Sequence, residues 1–375
     1  MSRSLFFVLV LLAAGCSKSP VDPSEITWVF NRHSYAEYDL ARMEAGLQRS
    51  GPSVLASFDH YARFFPPRWR PEPVTGGQGK SGTGLVLWRS GASAVVVRVF
   101  PGSPAEAAGI KAGDRIDSVD GRPVAGLPEA AIGEALYGSF GGVFKFKGEK
   151  RSGGALNSSL KREFGGMLTV WGFNIPGTRT GYLRIVNFSG KASARIRAEM
   201  NDLLDGGANR VIIDLRGNYG GSLDQLSAAL ALFAGRGGPV FRSVSRHAGY
   251  TRVYSAEEPG PYAGLKTLLL TDSGTLSRAE VFAAALREWG GASVVGAATA
   301  GNVSATRGFR LKNGAALRLT VARLLTPAGQ DLDGRGLTPD VAAPCPPSAD
   351  ESGFREFPAA LASSDPVVLR ALEQP

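Results

Sequence analysis

Hydrophobic and polar positions along this chain alternate between two periods. Between Ser24 and Ser57, Trp28, Phe30, Tyr35, Tyr38, Leu40 and Leu47 recur as apolar anchors in a helical pattern, and Gly51-Pro52 breaks it. The Pro/Gly-rich stretch "RPEPVTGGQGKSG" then forms a boundary, and short strands come next. "GTGLVL" is a glycine-flanked strand start, and "ASAVVVRVFPGSPAEAAGI" reads as strand, turn and short helix. "KAGDRIDSVDGRPV" reads as a turn, a strand, an Asp-Gly hairpin and a second strand. Beyond "LKREFGGML" the plan becomes strand, turn, helix. It occurs in "TGYLRIVNFSG" with "ASARIRAEMNDLLDGG", then in "NRVIIDLRGNYGGSLDQLSAALALFA" and "LKTLLLTDSGTLSRAEVFAAALREWGG", and "ASVVGAATAGNVSA" begins it again. Repeated units of this kind predict a parallel or mixed sheet covered by helices, an α/β fold. The final residues read as a polar tail with one short helical pattern around Pro358–Ser363.

Composition adds domain count and compartment. A chain of 375 residues, 43% hydrophobic and 20% charged, carries apolar material for two or three domains, and its 49 glycines favour a loop-rich α/β protein over a helical bundle. The start is distinct: Arg3 precedes the apolar run "LFFVLVLLAA" and then Gly-Cys. That run is about half the ~20 residues needed to span a bilayer, and it suits the apolar centre of a secretory signal. "LLAAGC" resembles a bacterial lipobox, which implies lipidation of Cys16 and a membrane tether without a spanning helix. The alternative is a plain signal peptide with an incidental Cys16. Under the lipobox reading, Ser17 points to the outer membrane of a two-membrane cell, with the protein on its periplasmic face. Cys345 is then the remaining cysteine, so no intramolecular disulfide is expected. The net charge of +9 suits anionic lipid, glycan or acidic substrates, while export argues against nucleic acid. The basic cluster "KFKGEKR", Lys145 to Arg151, reads as a solvated hairpin or linker.

The strand-rich segment closely resembles a PDZ domain of the bacterial protease type. Such domains take an extended peptide as an added strand and hold its C-terminal carboxylate on backbone N–H groups. The resemblance places those donors around Gly82, Thr83, Gly84 and Leu85. The other reading is that these glycines only turn the chain.

The larger region beyond that segment carries a more specific signal. "GYLRIVNF", "VIIDLRGNYGGS", "LLLTDSGTLSRAEVFAAAL" and "LRLTVARLLTPAGQDLDGRGLTPDV" appear in the order found in the C-terminal processing (tail-specific) serine peptidases, and the chain resembles that family from Ser57 to Val341. The resemblance implies a Clp-protease/crotonase-like peptidase domain with an inserted PDZ domain and an N-terminal helical segment. The expected boundaries are a lipoprotein signal at 1–16, the helical segment at 17–72, the PDZ domain at 73–150, the peptidase-like domain at 151–345 and a tail at 346–375. The expected partners are proteins or peptides with exposed C-termini. No cofactor or metal is expected, because His33, His60 and His247 show no ligand spacing and no Cys pair exists.

By that resemblance Ser277 of "GTLSRAE" is the nucleophile and Glu280 marks the turn. Ser277 and Glu280 also fit a helix capping box, and one residue can serve both purposes. An oxyanion at Ser277 would meet the Arg278 N–H and a second donor from "RGNYGG", at Gly220 or Gly221. The family's general base is a Lys in a "G-E-x-T-x-G-K-G" segment. Here "GAATAGNVSATRGFRLKNGAALRLT" aligns without a gap and puts Asn302 at the Lys and Thr306 at its supporting Gln. A carboxamide accepts no such proton. Three readings stay open. His60 of "SFDHYARFFPP" acts as base with Asp333 as its orienter, in the manner of the related tricorn-type core. Another lysine, Lys266 or Lys312, serves. Or the chain is a pseudo-peptidase that binds C-termini and cuts nothing.

Overall fold

The structure is a computed structural model that describes residues 22–67, 80–90, 92–127, 136–139, 141–164, 169–345 and 365–375. Cys16 and the 358–363 pattern lie outside the described residues. The chain divides into two compact units, residues 1–70 with 306–320, and residues 71–305 with 321–375.

The first unit begins with α1 (Pro23–His33) and α2 (Leu40–Ser50), each started by an aspartate, Asp22 and Asp39, that accepts a first-turn N–H. Ile26, Val29 and Phe30 form the buried stripe of α1. Trp28 was expected as an anchor but is exposed, because it stands two residues from Ile26 and Phe30 and so faces nearly the opposite side. A 3-10 turn (Gly51–Ser57) leads to β1 (Arg63–Phe65).

The second unit contains the PDZ strands. The ribbon strand β2 (Lys80–Gly82) precedes β3 (Leu85–Ser90) and β4 (Ser93–Val99). The short α3 (Pro104–Ala107) comes before β5 (Arg115–Val119), β6 (Arg122–Pro123), β7 (Tyr137–Ser139), β8 (Val143–Glu149) and β9 (Ala155–Lys161). The main sheet runs β3-β4-β5-β8-β9 with β6 on β5, leaving β3 at an edge, and β2 pairs with β7. The Asp-Gly hairpin forms with Asp120 and Gly121 both at positive φ, 47° and 78°. In β8, Phe144 and Phe146 enter the core while Lys145 and Lys147 face solvent, so the basic cluster is the wet side of a hairpin. The β8–β9 pairing carries the PDZ sheet to Lys161, past the boundary expected at 150, which falls in the hairpin turn.

Next come β10 (Val170–Asn174), β11 (Thr180–Ile185), α4 (Ala192–Asp205), β12 (Arg210–Asp214) and α5 (Leu223–Ala231). Then follow β13 (Gly238–Val244), β14 (Arg252–Ala256), β15 (Lys266–Thr271), α6 (Arg278–Glu288) and β16 (Ala292–Gly296). The chain continues through β17 (Ser304–Arg310), β18 (Ala316–Leu325), β19 (Val341–Ala342) and α7 (Pro366–Leu372). The central sheet runs β10-β11-β12-β15-β16-β19, parallel from β11 onward. Both faces are covered, as parallel sheets require. Val211, Ile213 and Leu269 pack toward α4, α5 and α6, and the alternate residues Ile212, Leu268 and Leu270 pack with Val367, Val368 and Ala371 of α7. The tail expected to be polar therefore ends in a docked helix, with Asp365 as its N-cap. After β16 the expected helix does not form, and residues 297–303 run as a loop into β17.

β18 contributes to both units. Its first half pairs with β1 in the first, and its last residues pair with β13 in the second. In the first unit the buried Asp59 carboxylate accepts the Thr320 N–H and hydroxyl and the Tyr61 N–H, fixing the turn that carries His60. Among the described residues no helix is long and apolar enough to cross a membrane.

Candidate active site

The centre of the second unit is built from two turns that leave adjacent parallel strands, one after β12 and one after β15. They are laced together. The Asp272 carboxylate accepts the Gly217 N–H at 2.8 Å, the Thr275 hydroxyl donates to the Leu215 carbonyl at 3.0 Å, and the Leu276 N–H donates to the Asn218 carbonyl at 2.9 Å. At the apex Ser277 adopts φ 63° and ψ −121°, a conformation costly for a residue with a side chain and found where structure holds it for a purpose. It is the N-cap of α6, so the first N–H groups of that helix and its positive dipole end lie beside the hydroxyl.

Glu280 does more than mark the turn. Fully buried, it accepts the Ser277 N–H at 2.8 Å, the Thr299 hydroxyl at 2.6 Å, the Gly301 N–H at 2.7 Å and the Asn302 N–H at 2.9 Å. Burial pushes its carboxyl above the ordinary range, and these hydrogen bonds only partly offset that. The Ser277 and Asn302 amides share one carboxylate oxygen, which puts their nitrogens within two hydrogen-bond lengths of each other. Asn302 therefore stands next to Ser277, where the sequence register puts the family lysine. The backbone donors of 299–302 are spent on distant acceptors, Thr299 on the Leu337 carbonyl, Ala300 on the Thr275 carbonyl, and Gly301 and Asn302 on Glu280, which accounts for a loop here instead of a helix.

Gly220 lies directly against Ser277. A Cβ there would come 3.1 Å from Ser277 Cβ and 3.2 Å from the Arg278 nitrogen, at φ +97°. Its own N–H, expected as a possible oxyanion donor, instead donates to Asn218 Oδ1 at 2.9 Å. Among the described residues the Arg278 and Gly221 N–H groups donate to no acceptor, so they are the pair left for an oxyanion. The Ser277 hydroxyl accepts from Arg278 Nη1 at 2.8 Å. The partial exposure of Arg278 hides an Nε that is out of solvent and has no partner.

The turn after β12 rests on a network of buried charge. Asp214 accepts from Tyr182 Oη at 2.6 Å, Arg184 at 2.9 Å and Arg216 at 2.6 Å, and Arg216 also pairs with Asp365 at 2.7 Å. Burial pushes the Asp214 carboxyl up, but the Arg216 and Arg184 guanidiniums outweigh it and hold it well below the usual range.

The other expected residues have surroundings of their own. His60 belongs to the first unit and is exposed. Its ring meets Tyr61 edge-on at 5.0 Å, and its carbonyl accepts from Arg63. Asp333 lies in the second unit, where its carboxylate accepts the Val303 N–H at 3.0 Å and the Ser304 hydroxyl at 3.2 Å and pairs with Arg323. Lys266 begins β15 while Ser277 lies beyond its other end, roughly 17 Å of strand away, so it is not a direct base. Lys312 lies in the first unit, exposed in the β17–β18 turn, with its N–H on Glu25. Among the described residues no group of His, Cys, Asp and Glu could hold a metal ion.

The PDZ loop shows a similar division of roles. The Gly82 N–H pairs with the Phe164 carbonyl at 3.0 Å, so it is not available to a ligand. The Thr83 and Gly84 carbonyls accept from Ala105 and Phe100, while the N–H groups of Thr83 and Gly84 donate to nothing among the described residues. The Thr83 hydroxyl is buried without a partner. Gly84 sits at φ +83°, and the side chain of Ser103 occupies the space its own Cβ would need, so no other residue fits. Leu85 then starts the edge strand β3.

The sequence missed the clamp made by Glu280 and the Arg278 side chain. A lone acid and a lone base at the start of the apolar run "RAEVFAAAL" were the available signal.

Comparison with known proteins bears on the family and the fold. Residues 179–343 match peptidase family S41, and residues 95–147 match a PDZ domain. The chain is 30% identical over 339 residues to the carboxyl-terminal-processing protease of Picosynechococcus sp., covering 85% of this chain and 78% of that one. It is 30% identical over 265 residues to the carboxy-terminal processing protease CtpA of Bacillus subtilis, covering 71% of this chain but only 56% of that longer relative. In fold it resembles the photosystem II D1 C-terminal processing protease, with a TM-score of 0.53 at 24% identity over 85% of this chain and 92% of that one. A Bacteroides fragilis S41 protease described as putative gives 0.51 at 19% identity, over 84% and 89%.

Proposed function

This chain belongs to the carboxyl-terminal processing peptidases of family S41, and from that premise we propose that it hydrolyses peptide bonds in proteins presented by their C-termini. Ser277 is the nucleophile, and the Arg278 and Gly221 N–H groups receive the oxyanion. The carboxylate of the substrate's C-terminus binds the Thr83 and Gly84 N–H groups, and its last residues extend along the β3 edge. The reading rests above all on Ser277, held at positive φ on a helix N-terminus against a glycine that leaves room for a reacting carbonyl. Asn302 supplies no base, so the proton of Ser277 goes to a group other than lysine, and His60 is our candidate. For Asp333 to orient His60 it would have to exchange its Arg323 partner. The protein acts as an exported lipoprotein anchored through Cys16 on the periplasmic face of the outer membrane.

A second reading has its own support. Asn302 stands where the lysine belongs, and the Ser277 hydroxyl already accepts a hydrogen bond. On this reading the protein is an adaptor that binds C-termini without cleavage. Purified full-length protein incubated with an unfolded substrate separates the two. The peptidase reading expects cleavage that weakens when the substrate's C-terminus is amidated and vanishes in Ser277→Ala and His60→Ala. Binding of the free C-terminus with no product over long incubation would establish the adaptor.

A further inference from the structure

Among the described residues Arg278 is a cation without a counter-ion. Nη1 donates to the Ser277 hydroxyl at 2.8 Å, Nε is buried and unpaired, and no described carboxylate forms an ion pair with it. Its stem lies on the turn after β12, since a Cβ at Gly220 would come 3.2 Å from Arg278 Cδ. The nearest acid in sequence, Glu280, is committed to Ser277, Thr299, Gly301 and Asn302. A partly desolvated, uncompensated cation is costly in a folded chain, and its placement makes sense where a negative charge forms during the reaction.

We propose that the Arg278 guanidinium is itself a catalytic group, stabilising the negative charge on Ser277 Oγ during attack. This is separate from the role of the Arg278 backbone N–H, and it rests on Ser277 being the nucleophile. The Oγ–H bond breaks as the Oγ–C bond forms on the substrate carbonyl. The proton passes to the general base and then to the leaving amine as the C–N bond breaks. Arg278 keeps its own protons throughout, because a guanidinium has no acceptor site. By making the alkoxide cheaper to form, it lowers the demand on a base in a site that lacks lysine.

The test is the rate at which a fluorophosphonate labels the full-length protein. In that reaction an Oγ–P bond forms, fluoride leaves and the Ser277 proton goes to solvent. Arg278→Ala is expected to slow labelling on the order of 100-fold, the scale seen when one oxyanion donor is removed. Arg278→Lys should keep the rate within about tenfold of wild type, and added guanidinium ion should restore part of the Arg278→Ala rate and none of Ser277→Ala. If Arg278→Ala lowers the thermal midpoint, Arg278→Met, which keeps a stem against Gly220, takes its place. An Arg278→Ala rate equal to or above wild type overturns the proposal and leaves Ser277 as nucleophile. A loss recovered by neither lysine nor guanidinium ion also overturns it, since that marks a purely structural role. A wild-type protein that is not labelled removes the nucleophile and this inference together.

Discussion

At the end of β12 the Asp214 carboxylate meets Arg184 and Arg216, and Arg216 also meets Asp365. One strand away, at the end of β15, Arg278 has no carboxylate and Glu280 takes only neutral N–H and O–H donors among the described residues. Both turns hold buried charge on neighbouring parallel strands, but only the first is balanced. Compensated charge fixes a scaffold, because every group has its partner before any ligand arrives. Among the described residues the turn at Ser277 keeps an unmatched cation and the free Arg278 N–H beside a strained hydroxyl, with the free Gly221 N–H of the neighbouring turn, and on our proposal its charge is completed only by a reacting substrate.

The contrast can be broken most forcefully at Asp214. Asp214→Asn leaves the buried Arg184 guanidinium without a carboxylate and Arg216 with Asp365 alone, and should cost about 3–5 kcal/mol of stability, read as a lowered denaturation midpoint. Glu280→Ala should cost about 2–4 kcal/mol, because it strips the acceptor from buried donors. It should also release the 299–302 loop, so labelling of Ser277 falls even at temperatures where the chain stays folded. Asp365→Ala removes the N-cap of α7 along with the Arg216 pair and should cost about 1–2 kcal/mol. Asp365→Asn keeps the cap and should recover part of that loss, which separates capping from charge.

The smallest expected effect is a difference in pH dependence. The folded carboxyl of Asp214 lies below its unfolded value, so its stabilisation is present above about pH 4 and is lost as pH falls from there. Glu280 has the opposite sign. Its folded carboxyl lies above the unfolded value, so its contribution is present at low pH and lost as pH rises through the raised value. Thermal unfolding between pH 3 and 7 should show the acid-side loss reduced in Asp214→Asn and the opposing slope removed in Glu280→Gln. Equal profiles for the two variants would remove the distinction between the turns.

Features encoded by neighbours in sequence were readable in advance. The Asp120-Gly121 hairpin, the buried run of β12 and the helix start at Ser277 each carry a local signal, since turn chemistry and apolar periodicity act over a few residues. Features that depend on distant partners were not. Nothing near Gly82 points to Phe164, which takes its N–H from far along the chain. The loop at 297–303 looks like the start of another strand–helix unit because the acid that holds it lies some twenty residues earlier, at Glu280. The docked α7 was hidden for a similar reason. Its partners Arg210 and Arg216 lie far back in the chain.

The central claim is that Ser277 reacts although Asn302 has replaced the lysine. Intact mass spectrometry of the full-length protein after fluorophosphonate treatment tests it most directly. One covalent adduct per chain, mapped to Ser277 and absent from Ser277→Ala, is the predicted result. An unmodified wild-type chain, or the same adduct in Ser277→Ala, would contradict it.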